Sequence, residues 1–324
     1  MSHYLVTGAA GFLGRHVVAA LLADGHEVTA LVRPGSRPEL PGAHVAQGDV
    51  LDPASLDAAS RGADGVFHLA GKVSRDPADA ELLHGVHVRG TRNVLAAARS
   101  AGARRVVVAS TSGTVGISES PEVRDESSPT PRGLIARFPY YRTKLQAEEE
   151  ALRASDGALE VVAVNPSLLL GPGDVNGSST EDVGRFLTRA IPAVPAGGLA
   201  FVDARDAAAG AVAAMARGRA GERYLLNACN LTVRDFFGRL ERLSGVASPR
   251  LPLPRHPVLS RELVRAARAL VGVIGGELPV DLVSAEMGRL YWYVDAKKAE
   301  RELGFSTRDA QETLADTVAD LTRR

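Results

Sequence analysis

Tyr4-Leu-Val-Thr-Gly8-Ala-Ala-Gly11-Phe-Leu-Gly14-Arg-His-Val-Val-Ala-Ala-Leu-Leu-Ala23 decides the fold. An apolar run ends at Thr7, glycines follow at Gly8, Gly11 and Gly14, and a helical apolar recurrence runs from Phe12 to Ala23. In that order, backbone N–H groups and a helix N-terminus face the place where a pyrophosphate could approach, and the missing Cβ atoms permit the approach. With 33 glycines in 324 residues, a GxxGxxG spacing arises by chance about 0.3 times in such a chain. The strand before it and the helix after it carry the reading, not the spacing alone.

Working outward, strand candidates Tyr4–Thr7, Glu27–Val32, Ala43–Gln47, Gly65–Leu69, Arg105–Ala109 and Val161–Asn165 alternate with helical patterns at Phe12–Ala23, Ala54–Ser60, Ala78–Ala101 and Tyr140–Ala154. Such alternation predicts βαβ units, hence an α/β fold with a doubly wound parallel (Rossmann) sheet. Past Pro166 the alternation weakens into Gly-, Pro- and Ser-rich loops, with helices near Glu181–Ala190, Val233–Ser244 and Leu259–Val273. The expected division is a dinucleotide-binding domain over 1–166 and a smaller C-terminal substrate-binding lobe over 167–324. Residues 199–228, holding strand candidates Leu199–Val202 and Tyr224–Asn227, are expected to return to the first sheet.

Hydrophobic residues make up 45% and charged residues 23%, and 38 basic residues balance 38 acidic ones. A neutral chain offers no field to hold nucleic acid or a membrane surface. The longest apolar stretch, Ala266–Gly276, falls well short of the roughly 20 residues of a bilayer span, so no membrane association is expected. The single cysteine, Cys229, supplies neither a disulfide nor a thiolate cluster, and no metal is expected. The strand-like run begins at His3 without a charged-then-apolar leader, so the expected location is cytoplasmic.

In a dinucleotide fold the second strand discriminates cofactors: an acid after it binds the ribose 2′-hydroxyl of NAD, an arginine accommodates the 2′-phosphate of NADP. Here Arg33 follows Val32, Ser36 and Arg37 lie close behind, and no acid appears until Glu39. This favours NADP, with NAD the alternative if Arg33 is a solvated loop charge. Asp49, in Gly48-Asp49-Val50, is placed either to accept from the adenine amino group or to cap the next turn.

Only four lysines occur, so a Tyr-x-x-x-Lys spacing is expected by chance about 0.07 times. It occurs twice, at Tyr140/Lys144 and Tyr293/Lys297. On a helix the two side chains share a face, where an ammonium stabilises phenolate and brings the tyrosine pKa down toward acid/base range. Tyr140 lies between the fifth and sixth strands and so can reach the strands' carboxyl ends, where ligands bind. Tyr293 lies far along the chain and is read as structural.

With a glycine turn, a hydroxyl cluster and Tyr-x-x-x-Lys in that order, the sequence resembles the extended short-chain dehydrogenase/reductase superfamily, also described as the NAD-dependent epimerase/dehydratase family. Within it the chain is most similar to the branch of dihydroflavonol-4-reductase-like and hopanoid-associated sugar epimerase-like proteins. The segments carrying that likeness are Ala30-Leu-Val-Arg-Pro34, Gly48-Asp-Val-Leu-Asp52, Val66-Phe-His-Leu-Ala70, Asn165-Pro-Ser167, Gly171-Pro-Gly-Asp174, Phe201-Val-Asp-Ala-Arg-Asp206 and Asp295-Ala-Lys-Lys-Ala299. The resemblance implies a Ser/Thr-Tyr-Lys site. Thr111 would orient the substrate oxygen, with Ser112 the nearby alternative. Tyr140 would be the general acid or base, and Lys144 would tune it and bind the nicotinamide ribose. It also implies cofactor contacts from Gly8, Gly11, Phe12, Leu13 and Gly14, from Arg33, Asp49 and Val50, from Leu69, Ala70 and Gly71 beneath the cofactor, and from Pro166 and Ser167 at the nicotinamide. Two residues depart from the pattern. His87 stands where relatives carry Asn, which puts a hydrogen bond from that helix to the active-site backbone in doubt; it is read as a packed substitute, not a catalyst. Val115 replaces the aromatic before Gly116, with a larger or drier pocket expected.

The expected function is NADPH-dependent reduction of a ketone to a secondary alcohol, or the reverse. The alternatives are an NAD-dependent nucleotide-sugar epimerase and a non-catalytic cofactor-binding sensor. A sugar 4,6-dehydratase fits less well, because Ser112-Gly113 follow Thr111 where such relatives place Asp-Glu. The expected partner is a small carbonyl or alcohol substrate. A homodimer through Ala78–Ala101 and Tyr140–Ala154 is also expected of such relatives, although core burial explains those apolar faces equally well. Arg255, His256 and Arg261 are candidate polar contacts in a segment, 250–279, expected to shape the pocket.

Overall fold

A computed structural model of the chain describes residues 1–256, 258–259, 262–263, 265–266 and 282–324. The expected helix Leu259–Val273, the apolar stretch Ala266–Gly276 and Arg261 lie wholly or largely outside the described residues.

The chain begins β1 (His3–Thr7), α1 (Phe12–Ala23), β2 (Glu27–Val32), β3 (His44–Gln47), α2 (Pro53–Ala59) and β4 (Gly65–His68). It continues through α3 (Ala80–His84), α4 (Gly90–Ser100), β5 (Arg105–Ala109), the short α5 (Gly113–Gly116) and α6 (Arg132–Ile135), α7 (Pro139–Arg153) and β6 (Glu160–Pro166). Then come β7 (Leu168–Leu170), α8 (Glu181–Leu187), β8 (Gly198–Asp203), α9 (Ala204–Arg217), β9 (Arg223–Leu226), β10 (Cys229–Thr232) and α10 (Val233–Ser244). Helices Leu282–Gly288, Lys297–Leu303 and Ala310–Arg323 follow.

Seven parallel strands form the main sheet in the order β3-β2-β1-β4-β5-β6-β9. Its inner strands are apolar on both faces because helices cover both. Leu5 packs with Leu56, Val94 and Ala98 on the side of α2, α4 and α7, while its neighbour Val6 packs with Val17, Leu21 and Ala211 on the side of α1 and α9. The sheet's winding reverses between β1 and β4, and a crevice opens there at the carboxyl ends, where the glycine turn lies.

Of the segment expected to return to this sheet, only part does. β9 joins beside β6, and α9 packs on α1, but Gly198–Asp203 pairs elsewhere. β6 ends at Pro166 and the chain enters β7 two residues later, so β8 pairs in register with β7, Leu168 opposite Phe201, and antiparallel with β10. This second, three-stranded sheet rests on an aromatic cluster with Phe186, Phe236, Phe237 and Leu314.

The single helix expected over Ala78–Ala101 is broken. A 3-10 turn at Pro77–Asp79 leads into α3, and a π turn, Gly85–Arg89, intervenes before α4. The π turn carries the buried His87, and the Thr91 hydroxyl donates to its carbonyl. Glycines at both of its borders permit the crowding: a Cβ on Gly90 would lie 2.9 Å from Val50. The apolar faces of α4 and α7 are buried by Val94, Leu95, Ala98 and Ala151 within the chain's own core.

Candidate active site

The glycine turn takes its shape from close backbone approach. Gly8 has φ +71°, a left-handed conformation that favours glycine, and a Cβ there would lie 2.6 Å from the Ala70 nitrogen. A Cβ on Gly14 would lie 2.1 Å from the Gly8 carbonyl oxygen. Gly11, the N-cap of α1, has no side chain to cap the helix, so the first-turn N–H groups are left to a ligand. This bare N-terminus and Cβ-free cradle fit a dinucleotide pyrophosphate. Gly14→Ala is expected to lower the melting temperature by several degrees, reflecting about 1–3 kcal/mol of overpacking, and to weaken dinucleotide binding in the same titration.

The floor beneath the cradle is pinned by a chain of hydroxyls and imidazoles. Ala70 N–H donates to Thr7 Oγ1 at 3.4 Å, and Thr7 Oγ1 bonds His68 Nδ1 at 2.8 Å. His68 Nε2 bonds Thr91 Oγ1 at 3.0 Å. The Thr91 proton is committed to the His87 carbonyl, so His68 carries its proton on Nε2 and accepts from Thr7. Burial, with Lys144 nearby, pushes the His68 pKa down to about 3.

His87 extends the same construction. Thr143 Oγ1 donates to the carbonyls of Pro139 and Tyr140 and meets His87 Nδ1 at 2.8 Å. His87 Nε2 meets both the N–H and the carbonyl of Lys72, at 3.2 and 3.1 Å, so the ring bridges Thr143 and the Lys72 backbone in either tautomer. A hydrogen bond from this helix to the active-site backbone, in doubt from the sequence, is therefore present and made by imidazole. The ring also sits edge-on to Tyr140, with centroids 5.5 Å apart. Burial, then Lys144, drives its pKa down to about 2, so it is neutral.

The cleft above this floor has a volume of about 1040 Å³. Gly8, Gly11, Phe12, Leu13, Gly14, Leu69 and Gly71 line one part; Thr111, Tyr140, Lys144, Pro166 and Ser167 line another. These expected site residues thus share one cleft. Lys144 Nζ donates to the Ala109 carbonyl at the end of β5, at 2.7 Å. Thr111 Oγ1 accepts from Gly113 N–H at 3.3 Å, which leaves its proton for a ligand. Ser112 is buried, and its N–H donates to the Pro166 carbonyl. Gly113 has no room for a side chain, because the Tyr141 ring would stand 2.3 Å from its Cβ.

The expected electrostatics need one correction. Burial pushes the Tyr140 phenol above its ordinary value and Lys144 down to about 8. The predicted lowering of the tyrosine by the ammonium does not prevail in the resting site, because desolvation penalises the charged form of both groups.

Other expected contacts stand apart from the cleft wall. Arg33 is exposed immediately past β2 and, among the described residues, has no acidic partner. Asp49 Oδ1 accepts from Leu51 N–H at 2.8 Å, the capping role. The Val50 side chain is buried against the Gly90 backbone, and its carbonyl accepts from Asn93. Ala70 passes under Gly8. Val115 does not line the pocket: it is buried against Ala200, Leu225 and Val294, so its replacement of an aromatic changes the core instead. Tyr293 packs on Tyr291, and Lys297 is exposed and paired with Asp295 at 2.9 Å, consistent with a structural pair. Arg255 and His256 are exposed and outside the wall.

Sequence reasoning missed the buried Glu148. It accepts from the hydroxyls of Ser110 and Thr114, from Asn165 Nδ2 at 2.7 Å and from Arg223 at 3.1 Å. It thereby ties the loop bearing Thr111 to the helix bearing Lys144. Its position one helical turn past Lys144 was the available signal.

Comparison with known proteins places the chain in a family. The family model described as "NAD dependent epimerase/dehydratase family" matches residues 4–227. A Synechocystis sp. protein named as a dihydroflavonol 4-reductase is 35% identical over 97% of this chain and 93% of its own. Cinnamoyl-CoA reductase 1 of Oryza sativa subsp. japonica is 36% identical over 79% of this chain and 77% of its own. Among solved structures, the dTDP-glucose 4,6-dehydratase DesIV of Streptomyces venezuelae, with NAD and TYD bound, is 26% identical with a TM-score of 0.78, covering 99% of this chain and 97% of its own. Among the described residues no helix is long and apolar enough to cross a membrane. With its glycine cradle at the switch point of a Rossmann sheet and its extended short-chain dehydrogenase/reductase architecture, the chain is an enzyme that belongs to the NAD dependent epimerase/dehydratase family.

Proposed function

We propose that the enzyme reduces a ketone to a secondary alcohol, or runs the reverse reaction, with NADPH at a site formed by Thr111, Tyr140 and Lys144. The observation that carries this reading is the meeting of those three side chains and the glycine cradle in one cleft. A bound nicotinamide supplies the hydride for the carbonyl carbon, or accepts one from the alcohol. The chain's own residues handle the oxygen. Thr111 donates its free proton to the carbonyl oxygen and holds it in place. Tyr140, kept protonated by burial, delivers the proton that completes the hydroxyl. The phenolate left behind is stabilised by the Lys144 ammonium, which Ala109 holds one turn along the helix, and is reprotonated from solvent. His87 and Glu148 position these groups without touching the substrate.

The choice of NADPH rests on Arg33, an exposed guanidinium at the carboxyl end of β2 where the ribose 2′-position is bound in such folds. Arg33→Ala is expected to weaken NADPH binding about tenfold, a charge-assisted contact discounted for exposure, and NADH binding by less than about twofold. Fluorescence titration of the purified protein with each dinucleotide checks this. Tighter binding of NADH by the unaltered protein would overturn the assignment. It would also favour the second reading, an NAD-dependent nucleotide-sugar epimerase, which the family's NAD dependence supports.

A further inference from the structure

Beyond Tyr140 the cleft continues between the second sheet and the later helices. Its apolar lining includes Ile191, Leu199, Phe236 and Phe237 on the side of the second sheet, and Val283 and Trp292 on the side of Tyr141. This wall is backed, not loose: Phe237 stacks on Phe186 with centroids 5.3 Å apart, and both phenylalanines of α10 are buried in the aromatic cluster. A volume of about 1040 Å³ sits at the upper end of the range for small-molecule sites, about 300–1,000 Å³. That volume spans both the glycine cradle and this apolar lining, and the lining is the part a substrate body would meet.

The charged groups of this region face one another. Arg75, from the loop after β4, donates through both terminal nitrogens to the two oxygens of Asp182 on α8, at 3.1 and 2.6 Å, and also to Ser284. Arg185 pairs with Glu181 at 3.8 Å, and Lys72 with Asp79 at 3.9 Å. Among the described residues of the cleft wall, Lys144 is the remaining cation, and it lies at the reacting end. Recruiting Arg75 to a diphosphate would cost its two bonds to Asp182, while Arg185 and Lys72 sit in looser, more exposed pairs. An apolar body would displace only water from an apolar wall.

We propose that the substrate is an uncharged ketone or secondary alcohol carried on a bulky apolar body, a long-chain or ring-fused hydrocarbon, and that the wall from Ile191 to Trp292 binds that body. This rests on the ketone-reductase reading above and adds the substrate class to it. Atoms and electrons balance as in that reading: the two electrons enter as a hydride on the carbonyl carbon, the proton enters on oxygen from Tyr140, and NADPH leaves as NADP⁺.

The test uses the full chain with NADPH and a homologous series of methyl alkyl ketones, from ethyl to decyl, alongside UDP-glucose. Burial of each added methylene is expected to raise kcat/KM about three- to fourfold until the wall is covered. In parallel, the matching secondary alcohols are titrated onto the NADPH-loaded protein by thermal shift, a pairing that cannot react, which reads the same wall without turnover and is expected to show affinity rising with chain length. Ile191→Asp, a half-buried position on the wall, is expected to reduce the gain per methylene to less than about 1.5-fold. Should that variant fold poorly, the slope in the unaltered protein still decides. Reduction of the short ketones with no dependence on chain length in either assay would overturn the apolar-substrate inference and leave the reductase reading standing. Epimerisation of UDP-glucose with no ketone reduced would overturn the reductase reading. In that event a flat alcohol titration would overturn this inference as well, and a rising one would uphold the apolar wall by itself.

Discussion

Tyr140→Phe is expected to lower kcat for ketone reduction by about 10³-fold, within the 10²–10⁴-fold that a positioned general acid contributes, while the dissociation constant for the dinucleotide changes by less than about threefold. The substitution removes one oxygen from a ring already held on two sides, by His87 at 5.5 Å and Tyr141 at 5.0 Å between centroids. The ring therefore keeps its place, and α7 keeps Lys144 on the Ala109 carbonyl. What is lost is the proton that Tyr140 delivers: the neutral, buried His87 is engaged with Thr143 and Lys72, and Lys144 is held on the Ala109 carbonyl. Single-turnover kinetics with a dinucleotide titration check both halves. Activity within about tenfold of the unaltered enzyme would remove Tyr140 from the proposed mechanism.

The second large effect is on stability in mild acid. His68 and His87 have folded-state pKa values near 3 and 2, against an ordinary 6.5. Between those limits the unfolded chain binds a proton at each histidine and the folded chain does not. Stability is thus full above about pH 6.5 and falls as the pH drops through it, by about 1.4 kcal/mol per histidine for each unit. Urea unfolding is expected to show about 2–3 kcal/mol less stability at about pH 5.5 than at about pH 7.5. Carboxylates whose pKa values are lowered, such as Asp203 and Glu150, withdraw their contributions at lower pH, as they become protonated. Burial lowers the His16 pKa as well and adds to the loss in the same direction, so His87→Asn, which places at that position the residue usual in the resembled family, is expected to remove about 1.4 kcal/mol of it per pH unit. A flat profile across this window would show that the two imidazoles are not held neutral by burial.

How much of this was legible in the sequence depended on whether a feature is local. The cradle was legible because glycine spacing, a strand and a helix are all contained in Tyr4–Ala23, and close approach leaves glycine as the only residue that fits at Gly8 and Gly14. Tyr140 and Lys144 were legible because one helix turn fixes their relation. The π turn at Gly85–Arg89 was not: the His87 it carries bonds Lys72 and Thr143, residues 15 and 56 positions away. The place of Leu199–Val202 was equally hidden, because an apolar run does not say which of two sheets holds the complementary edge. Short β7 and β10 carry too few residues for a periodic signal. Arg75 and Asp182 gave no motif at all, since their pairing arises only when the loop after β4 meets α8. The direction of the Tyr140 shift was misjudged because proximity to an ammonium was weighed and burial, invisible in sequence, was not.

Net redox stoichiometry separates ketone reduction from epimerisation. The purified enzyme is incubated with NADPH and an excess of a hydrophobic ketone, and both the dinucleotide oxidised and the alcohol formed are quantified. The expected result is one alcohol for each NADPH consumed, with the reaction lost in Tyr140→Phe. Interconversion of nucleotide-sugar epimers with no net change in dinucleotide, and no alcohol from any ketone, would contradict it.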